Sequence, residues 1–271
     1  ILGIRERLDL IKEKVRVGIN LDGIIEEAGR AAEIEVKLPE AVRQFCNVDC
    51  GTGIKKTVVA LAKDEAFCFY YEDNLDILRK LGAEIQYFSP IHDRNLPVET
   101  CAVYLGGGYP ELYAKALGEN ETIRNEIRRK AEEDMPILAE CGGYLYLLKE
   151  LKDENGTGYE MAGVFSGKGY KKGKNSHFGY ITVQTERDSL YLKAGETIKG
   201  HEFHYWESTQ DENELKMQAK KPTGKRSWPC VTVKNQVMAG FPHLYYPSLE
   251  GFGERFVQAC DRYRMKRKRQ Q

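Results

Sequence analysis

Pro136-Ile137-Leu138-Ala139-Glu140-Cys141-Gly142-Gly143-Tyr144-Leu145-Tyr146-Leu147 is the stretch on which the fold turns. Pro136 to Glu140 is short and apolar enough for a buried strand, and Gly142 to Leu151 has the composition of a helix directly behind it. Cys141 stands on the sharp turn between the two. A nucleophile on such a turn is lifted above the sheet edge, and glycine neighbours make the geometry tolerable. The start of the following helix brings free N–H groups beside the sulfur, which predicts a lowered thiol pKa and a place for an oxyanion.

Outward from that turn, strands and helices alternate. Thr57 to Ala62, Ala83 to Phe88 and Ala102 to Leu105 read as strands; Asn74 to Leu81, closed by Gly82, and Glu121 to Glu133 read as helices. After about residue 160 the pattern changes to strands parted by Gly- and Lys-rich turns, and Phe252 to Tyr263 reads as a last helix. The fold class is therefore α/β: a mainly parallel sheet flanked by helices, with an antiparallel C-terminal portion. Residues 1–39 read as helical, with a break at Gly18-Ile19-Asn20 and Asp22 as the expected cap; 40–56 reads as a linker, 57–265 as the main domain and 266–271 as a solvated basic tail.

The chain has 271 residues, 41 basic and 41 acidic, with 41% hydrophobic content. A balanced charge gives no global field for nucleic acid or an anionic membrane, and no apolar run reaches the roughly 18 residues of a spanning helix. Seven cysteines, none at C-x-x-C spacing, fit a reducing cytoplasm better than a disulfide framework. No metal site is expected. Gly51-Thr52-Gly53-Ile54-Lys55-Lys56-Thr57 lacks the Gly-Lys-Thr order of a phosphate loop, and a strand follows it where a helix is required.

Gly106-Gly107-Gly108 follows a strand, so its backbone can approach a ligand and lend an N–H to the oxyanion together with Gly142. A cysteine nucleophile needs a base. The five histidines are 92, 177, 201, 204 and 243, and spacing alone does not choose among them. In Gly200-His201-Glu202-Phe203-His204-Tyr205, strand alternation sets His201 and Phe203 on one face, Glu202 and His204 on the other. Tyr70-Tyr71 reads as packing.

Several of these stretches in order resemble one family: the glutamine amidotransferase half of cobyrinate a,c-diamide synthase, with its hydrogenobyrinate and nickel-sirohydrochlorin counterparts. They are Ala62-Lys63-Asp64-Glu65-Ala66-Phe67-Cys68-Phe69-Tyr70-Tyr71 with Asn74-Leu75, Phe88-Ser89-Pro90, Tyr104 to Leu112, Ala139 to Leu147, Gly200 to Tyr205 and Pro242-His243-Leu244. The resemblance implies a class I, flavodoxin-like glutaminase with Cys141 as nucleophile and His243 as base. Gly107, Gly108 and Gly142 would hold the oxyanion and glutamine, with His201, Glu202 and His204 lining the site. The wider class I group has a glutamate two positions after the histidine; here that position is Tyr245, so a Cys–His dyad is implied. The partners implied are glutamine, an N-terminal ATP-binding domain of the same polypeptide, of which residues 1–39 would be the tail, and a cobyrinate-type tetrapyrrole acceptor. ATP and Mg²⁺ would belong to that other domain, with no cofactor in this chain. A cysteine hydrolase and a non-catalytic binding module are the competing readings.

Overall fold

A computed structural model of the chain describes residues 4–33, 57–173, 177–210 and 215–270. The chain divides into two compact units, Ile1–Pro39 and Glu40–Gln271. The first holds α1 (Ile4–Gly18) and α2 (Leu21–Arg30), neither with a buried residue. The break between them falls where expected, but the cap is Asn20, whose Oδ1 accepts the Gly23 N–H at 3.0 Å; Asp22 is already in the first turn. The expected linker at 40–56 lies outside the described residues.

Within the second unit the chain runs β1 (Thr57–Ala62), β2 (Phe67–Phe69), α3 (Glu72–Lys80), β3 (Ala83–Phe88), β4 (Ala102–Leu105), β5 (Gly107–Gly108), α4 (Ala114–Glu119), α5 (Glu121–Glu132), β6 (Ile137–Glu140) and α6 (Gly142–Leu147). It continues through β7 (Glu150–Lys152), β8 (Gly158–Glu160), β9 (Lys168–Lys171), β10 (Phe178–Gln184), β11 (Thr197–Phe203), β12 (Trp206–Ser208), β13 (Leu215–Lys220), β14 (Ser227–Lys234), β15 (Val237–Gly240), β16 (His243–Leu244) and α7 (Phe252–Gln270).

The main sheet has ten strands in the order β16-β11-β10-β13-β14-β15-β6-β4-β1-β3. The β15-β6-β4-β1-β3 half is parallel and the other half antiparallel, so the late antiparallel portion expected from sequence extends the same sheet. β1, β4 and β6 are buried along their whole length, which is why they read as apolar runs broken only at their ends, by Thr57 and Glu140. Helix α5 buries Ile123, Ile127 and Ala131, the i, i+4, i+8 stripe of an amphipathic helix.

Two boundaries differ from expectation. The helix behind Cys141 stops at Leu147; Leu148 is extended and β7 starts at Glu150, where it pairs with β8 and β9. Leu145, Leu147, Leu148 and Leu151 are all buried, so apolar spacing could not mark where helix gives way to strand. The basic end is helical: α7 continues through it, Arg267 donates to the Thr100 carbonyl at 3.0 Å and Lys266 pairs with Asp134 at 3.2 Å, while Lys266, Lys268 and Arg269 stay exposed. The two-strand ribbon β2–β5 is too short to leave a periodic signal. No described helix is long and apolar enough to cross a membrane.

Candidate active site

Cys141 follows β6 directly, at the carboxyl end of the parallel half, where open α/β sheets place their ligands. Its φ of 50° and ψ of −103° are strained for a residue with a side chain, a cost of about 1–3 kcal/mol that the surroundings must impose. They do so through backbone bonds: the Cys141 N–H donates to the Gly240 carbonyl at 2.8 Å, and the Gly143 N–H to that of Gly106 at 2.9 Å. Gly143 has no room for a side chain, since a Cβ would lie 2.2 Å from the Leu105 carbonyl oxygen. A Cβ on Gly142 would stand 2.9 Å from Pro110 and 3.1 Å from the Gly108 nitrogen. The Gly142 turn and the glycine loop after β4 are thus in close contact beside the sulfur, as the pairing of their amides requires.

His243 reaches the same place from the opposite half of the sheet. It lies in β16 opposite His201 of β11, with Gly200 opposite Leu244. The segment after it is clamped by Asn74 on α3, whose Nδ2 donates to the Leu244 carbonyl at 2.7 Å and whose Oδ1 accepts the Tyr246 N–H at 2.9 Å. Asn74 is fully buried. Asn74→Ala strands one carbonyl and one N–H, so it should lower unfolding free energy by about 2–4 kcal/mol in urea titrations and loosen the segment that carries His243. Unchanged stability would refute the clamp.

One cavity of about 300 Å³ is lined by Cys141, His243, Gly108, Gly142, His201 and His204. Of the residues singled out from sequence, two lie elsewhere. Gly107 sits against the His243 ring, where a Cβ would come within 2.4 Å of Cε1. Glu202 is buried on the other face of β11, as the alternation predicts, and lines a second cavity of about 140 Å³ with His177 and Trp228; His204 borders both. Tyr70 packs, as expected, and also bonds: its hydroxyl accepts the Gly106 N–H at 2.9 Å and donates to the Ala62 carbonyl, tying the glycine loop to β1.

The electrostatics overturn one expectation. Burial, with Glu111 nearby, pushes the Cys141 thiol up to about 12, and only the Gly142 N–H acts the other way. Burial, with His201 and His204 nearby, lowers His243 to about 4. The six-residue α6 is too short and too enclosed to offset desolvation by its dipole. The site at neutral pH therefore holds a thiol and an uncharged imidazole, not a preformed ion pair.

Sequence reasoning passed over two carboxyls in this region. Glu111, in the Pro110–Tyr113 turn, lines the cavity and is raised to about 7 by burial. Glu140, the residue before the cysteine, is 5% exposed, with one carboxyl oxygen 3.9 Å from His243 Nδ1. A charged residue ending an otherwise apolar strand was the available signal. No metal was expected because no helical ligand spacing occurs. Strand and loop nevertheless bring ligand atoms of His177, Glu202 and His204 within 4.8 Å of one another, the trio able to hold a metal ion among the described residues. Two of them have other partners: His204 Nδ1–H donates to the Trp206 carbonyl at 2.6 Å, and Glu202 accepts the Trp228 indole N–H at 3.1 Å.

Comparison with known proteins places the chain in a family. Residues 58–249 match the model of the CobB/CobQ-like glutamine amidotransferase domain. The chain is 39% identical over 210 residues to cobyrinate a,c-diamide synthase of Caldanaerobacter subterraneus subsp. tengcongensis, an alignment covering 77% of this chain and 46% of that protein. It is 35% identical over 254 residues to that of Picrophilus torridus, covering 94% and 53%. The chain thus spans about half the length of the curated relatives it matches. Among solved structures, PurLQS from Thermotoga maritima superposes with a TM-score of 0.53 at 15% identity, covering 77% of this chain and 99% of that one. A glutamine amidotransferase superposes at 0.50 with 18% identity, covering 76% and 99%. At such identities the likeness is one of fold, an α/β sheet with a parallel core flanked by helices. With the family match spanning most of its length, the chain belongs to the CobB/CobQ-like glutamine amidotransferase domain family.

Proposed function

We propose that this chain is the glutaminase half of an ATP-dependent a,c-diamide synthase of corrinoid biosynthesis, with cobyrinate as acceptor. The observation that carries the chemistry is the convergence of Cys141, the Gly108 and Gly142 backbone and His243 on one cavity at the ends of the parallel strands. As Cys141 attacks the side-chain amide carbon of glutamine, its proton passes to His243. The Gly108 and Gly142 N–H groups hold the oxyanion. His243 returns the proton to the departing nitrogen, ammonia leaves, and a thioester remains. His243 then takes a proton from water, which releases glutamate and restores the thiol.

The names of the curated relatives support the acceptor. ATP and magnesium serve the acceptor carboxylates in the ATP-binding domain, and no step runs through them here, because Gly51 to Thr57 lacks a phosphate-loop order. Phe69, Tyr109, Phe203 and Tyr205 rim the cavity and are all exposed, which supports a partner that covers the mouth. The bare apolar faces of α1 and α2, with Leu8, Ile11, Ile24 and Ile25 exposed, support residues 1–39 as the end of that ATP-binding domain. The cysteine usage supports a cytoplasmic site of action.

The test is alkylation of the full-length gene product by 6-diazo-5-oxo-norleucine, read by intact mass and peptide mapping. A single adduct on Cys141, blocked by excess glutamine, is expected. An accessible thiol that gains no glutamine-protected adduct would refute a glutamine site and favour a binding module.

A further inference from the structure

The base has no orienting group at the position where the wider class I group keeps one. Tyr245 turns its hydroxyl to Asp73 at 3.0 Å and its ring against Tyr71, away from the imidazole. Yet His243 Nδ1 is buried with no hydrogen-bond partner, an arrangement that costs free energy unless the site uses it. The group facing that nitrogen is Glu140, whose Oε2 lies 3.9 Å away.

We propose that Glu140 is the positioning residue of this site, its carboxylate accepting the Nδ1 proton of His243 so that Nε2 is left as the base toward Cys141. The inference rests on the Cys141–His243 reading above and supplies what that dyad lacks.

Three features suit Glu140 to this role. First, it is fixed: Oε1 accepts the Leu244 N–H at 3.3 Å and Oε2 the Tyr104 hydroxyl at 3.1 Å. One of those partners is the backbone of the residue after His243, so carboxyl and imidazole are held in one frame. Second, the ring has little freedom to turn elsewhere. Phe69 stands edge-on to it at 4.7 Å, and Gly107 lies against its Cε1 edge. Third, the 3.9 Å gap needs about 1 Å of closure to become a hydrogen bond, a change expected when substrate tightens an open site.

Protonation decides whether the pair works. A protonated Glu140 donates to Nδ1, so the ring carries its own hydrogen on Nε2, the wrong tautomer for a base. An ionised Glu140 accepts from Nδ1–H and frees the Nε2 lone pair. Burial holds this carboxyl up to about 8, so glutamine hydrolysis should rise with pH through neutrality. The titratable groups facing Glu140 are Tyr104 from β4, Tyr70 and Tyr71 after β2, Tyr246 and Cys141, together with His243. The tyrosines are shifted upward and remain protonated over this range. His243 faces His201 and His204 as well. Glu111 titrates in the same cavity and must be measured separately.

The experiment compares Glu140→Gln with Glu111→Gln, Cys141→Ala and His243→Ala in the full-length gene product, reading kcat and KM for glutamine and the pH dependence of diazo-ketone alkylation. Glu140→Gln should lower kcat by about a hundredfold or more, as loss of a tautomer-fixing carboxylate does elsewhere, leave KM within about threefold, and abolish the rise near pH 8. Glu111→Gln should keep that rise. A Glu140→Gln enzyme with wild-type kcat, or with reduced kcat and an unchanged pH profile, would overturn the proposal, as would loss of the rise in Glu111→Gln alone. If His243→Ala or Cys141→Ala kept wild-type hydrolysis, the dyad itself would fall; if both are dead while Glu140→Gln is not, only this inference falls. ¹⁵N-histidine spectra of the unmutated protein give a readout independent of folding. The His243 hydrogen should move from Nε2 to Nδ1 as pH rises through 8, and a tautomer that does not change would refute the switch.

Discussion

In the full-length gene product, Cys141→Ala should reduce glutamine hydrolysis by about 10⁴-fold or more while leaving the protein folded and the ATP-dependent amidation proposed above intact when ammonium salt replaces glutamine. Loss of a covalent nucleophile removes the whole two-step route, and what remains comes from binding and the oxyanion donors alone. The stability forecast follows from the turn. Its φ of 50° is imposed by the bonds of Cys141 and Gly143 to Gly240 and Gly106, and alanine occupies that backbone as well as cysteine does. The removed sulfur faces a cavity instead of a packed core, so no large void penalty arises. Glutamine affinity by calorimetry should stay within about threefold. Hydrolysis within tenfold of wild type would sink the nucleophile assignment. Loss of the ammonium-dependent reaction would show that the substitution damages more than the glutaminase.

The resting state of the site sharpens that forecast. With the thiol pushed up to about 12 and the imidazole down to about 4, burial disfavours the thiolate at neutral pH. A simple thiol reagent should therefore react slowly with Cys141, whereas the glutamine-shaped diazo-ketone, which occupies the cavity and brings its own carbonyl to the oxyanion donors, should react fast. The contrast between these rates measures how much of the activation comes from substrate itself.

What was legible in the sequence, and what was not, divides along physical lines. β1, β4 and β6 were readable because strands buried on both faces are mostly apolar. The nucleophile turn was readable because Gly142 and Gly143 stand where a Cβ cannot. The choice of His243 was not readable from spacing. It depends on β16 pairing with β11, a contact between residues about forty apart in the sequence, and the family resemblance supplied what local pattern lacked. The lowered thiol pKa failed for a related reason. The helix start was read correctly, but burial is a tertiary property and here outweighs the dipole. The end of α6 failed because every leucine around it is buried, which erases the periodicity that marks a boundary. Glu140 was quoted in a motif and given no role, since the Nδ1 it faces at 3.9 Å belongs to a residue 103 positions later.

The second large effect is expected from a glycine that touches no substrate. Gly107→Ala places a Cβ 2.4 Å from His243 Cε1 and 3.3 Å from both ring nitrogens. The atoms in the way belong to a side-chain end, so the ring shifts and the backbone need not. The cost to stability should accordingly be small, about 1 kcal/mol. The cost to chemistry should be large: a displacement near 1 Å at a catalytic group lowers rates about a hundredfold. The ring has few directions of retreat, with Phe69 edge-on at 4.7 Å and Glu140 at its Nδ1. Gly143→Ala is the contrasting case, since its Cβ would meet the Leu105 carbonyl oxygen at 2.2 Å, an atom of the central sheet that cannot yield; that variant should fail to fold. The discriminating measurement is a double-mutant cycle. If Gly107 acts through His243, adding Gly107→Ala to a His243→Ala protein should cost no further activity. An additive loss would mean that Gly107 serves the site by another route, through the backbone it shares with the Gly108 amide.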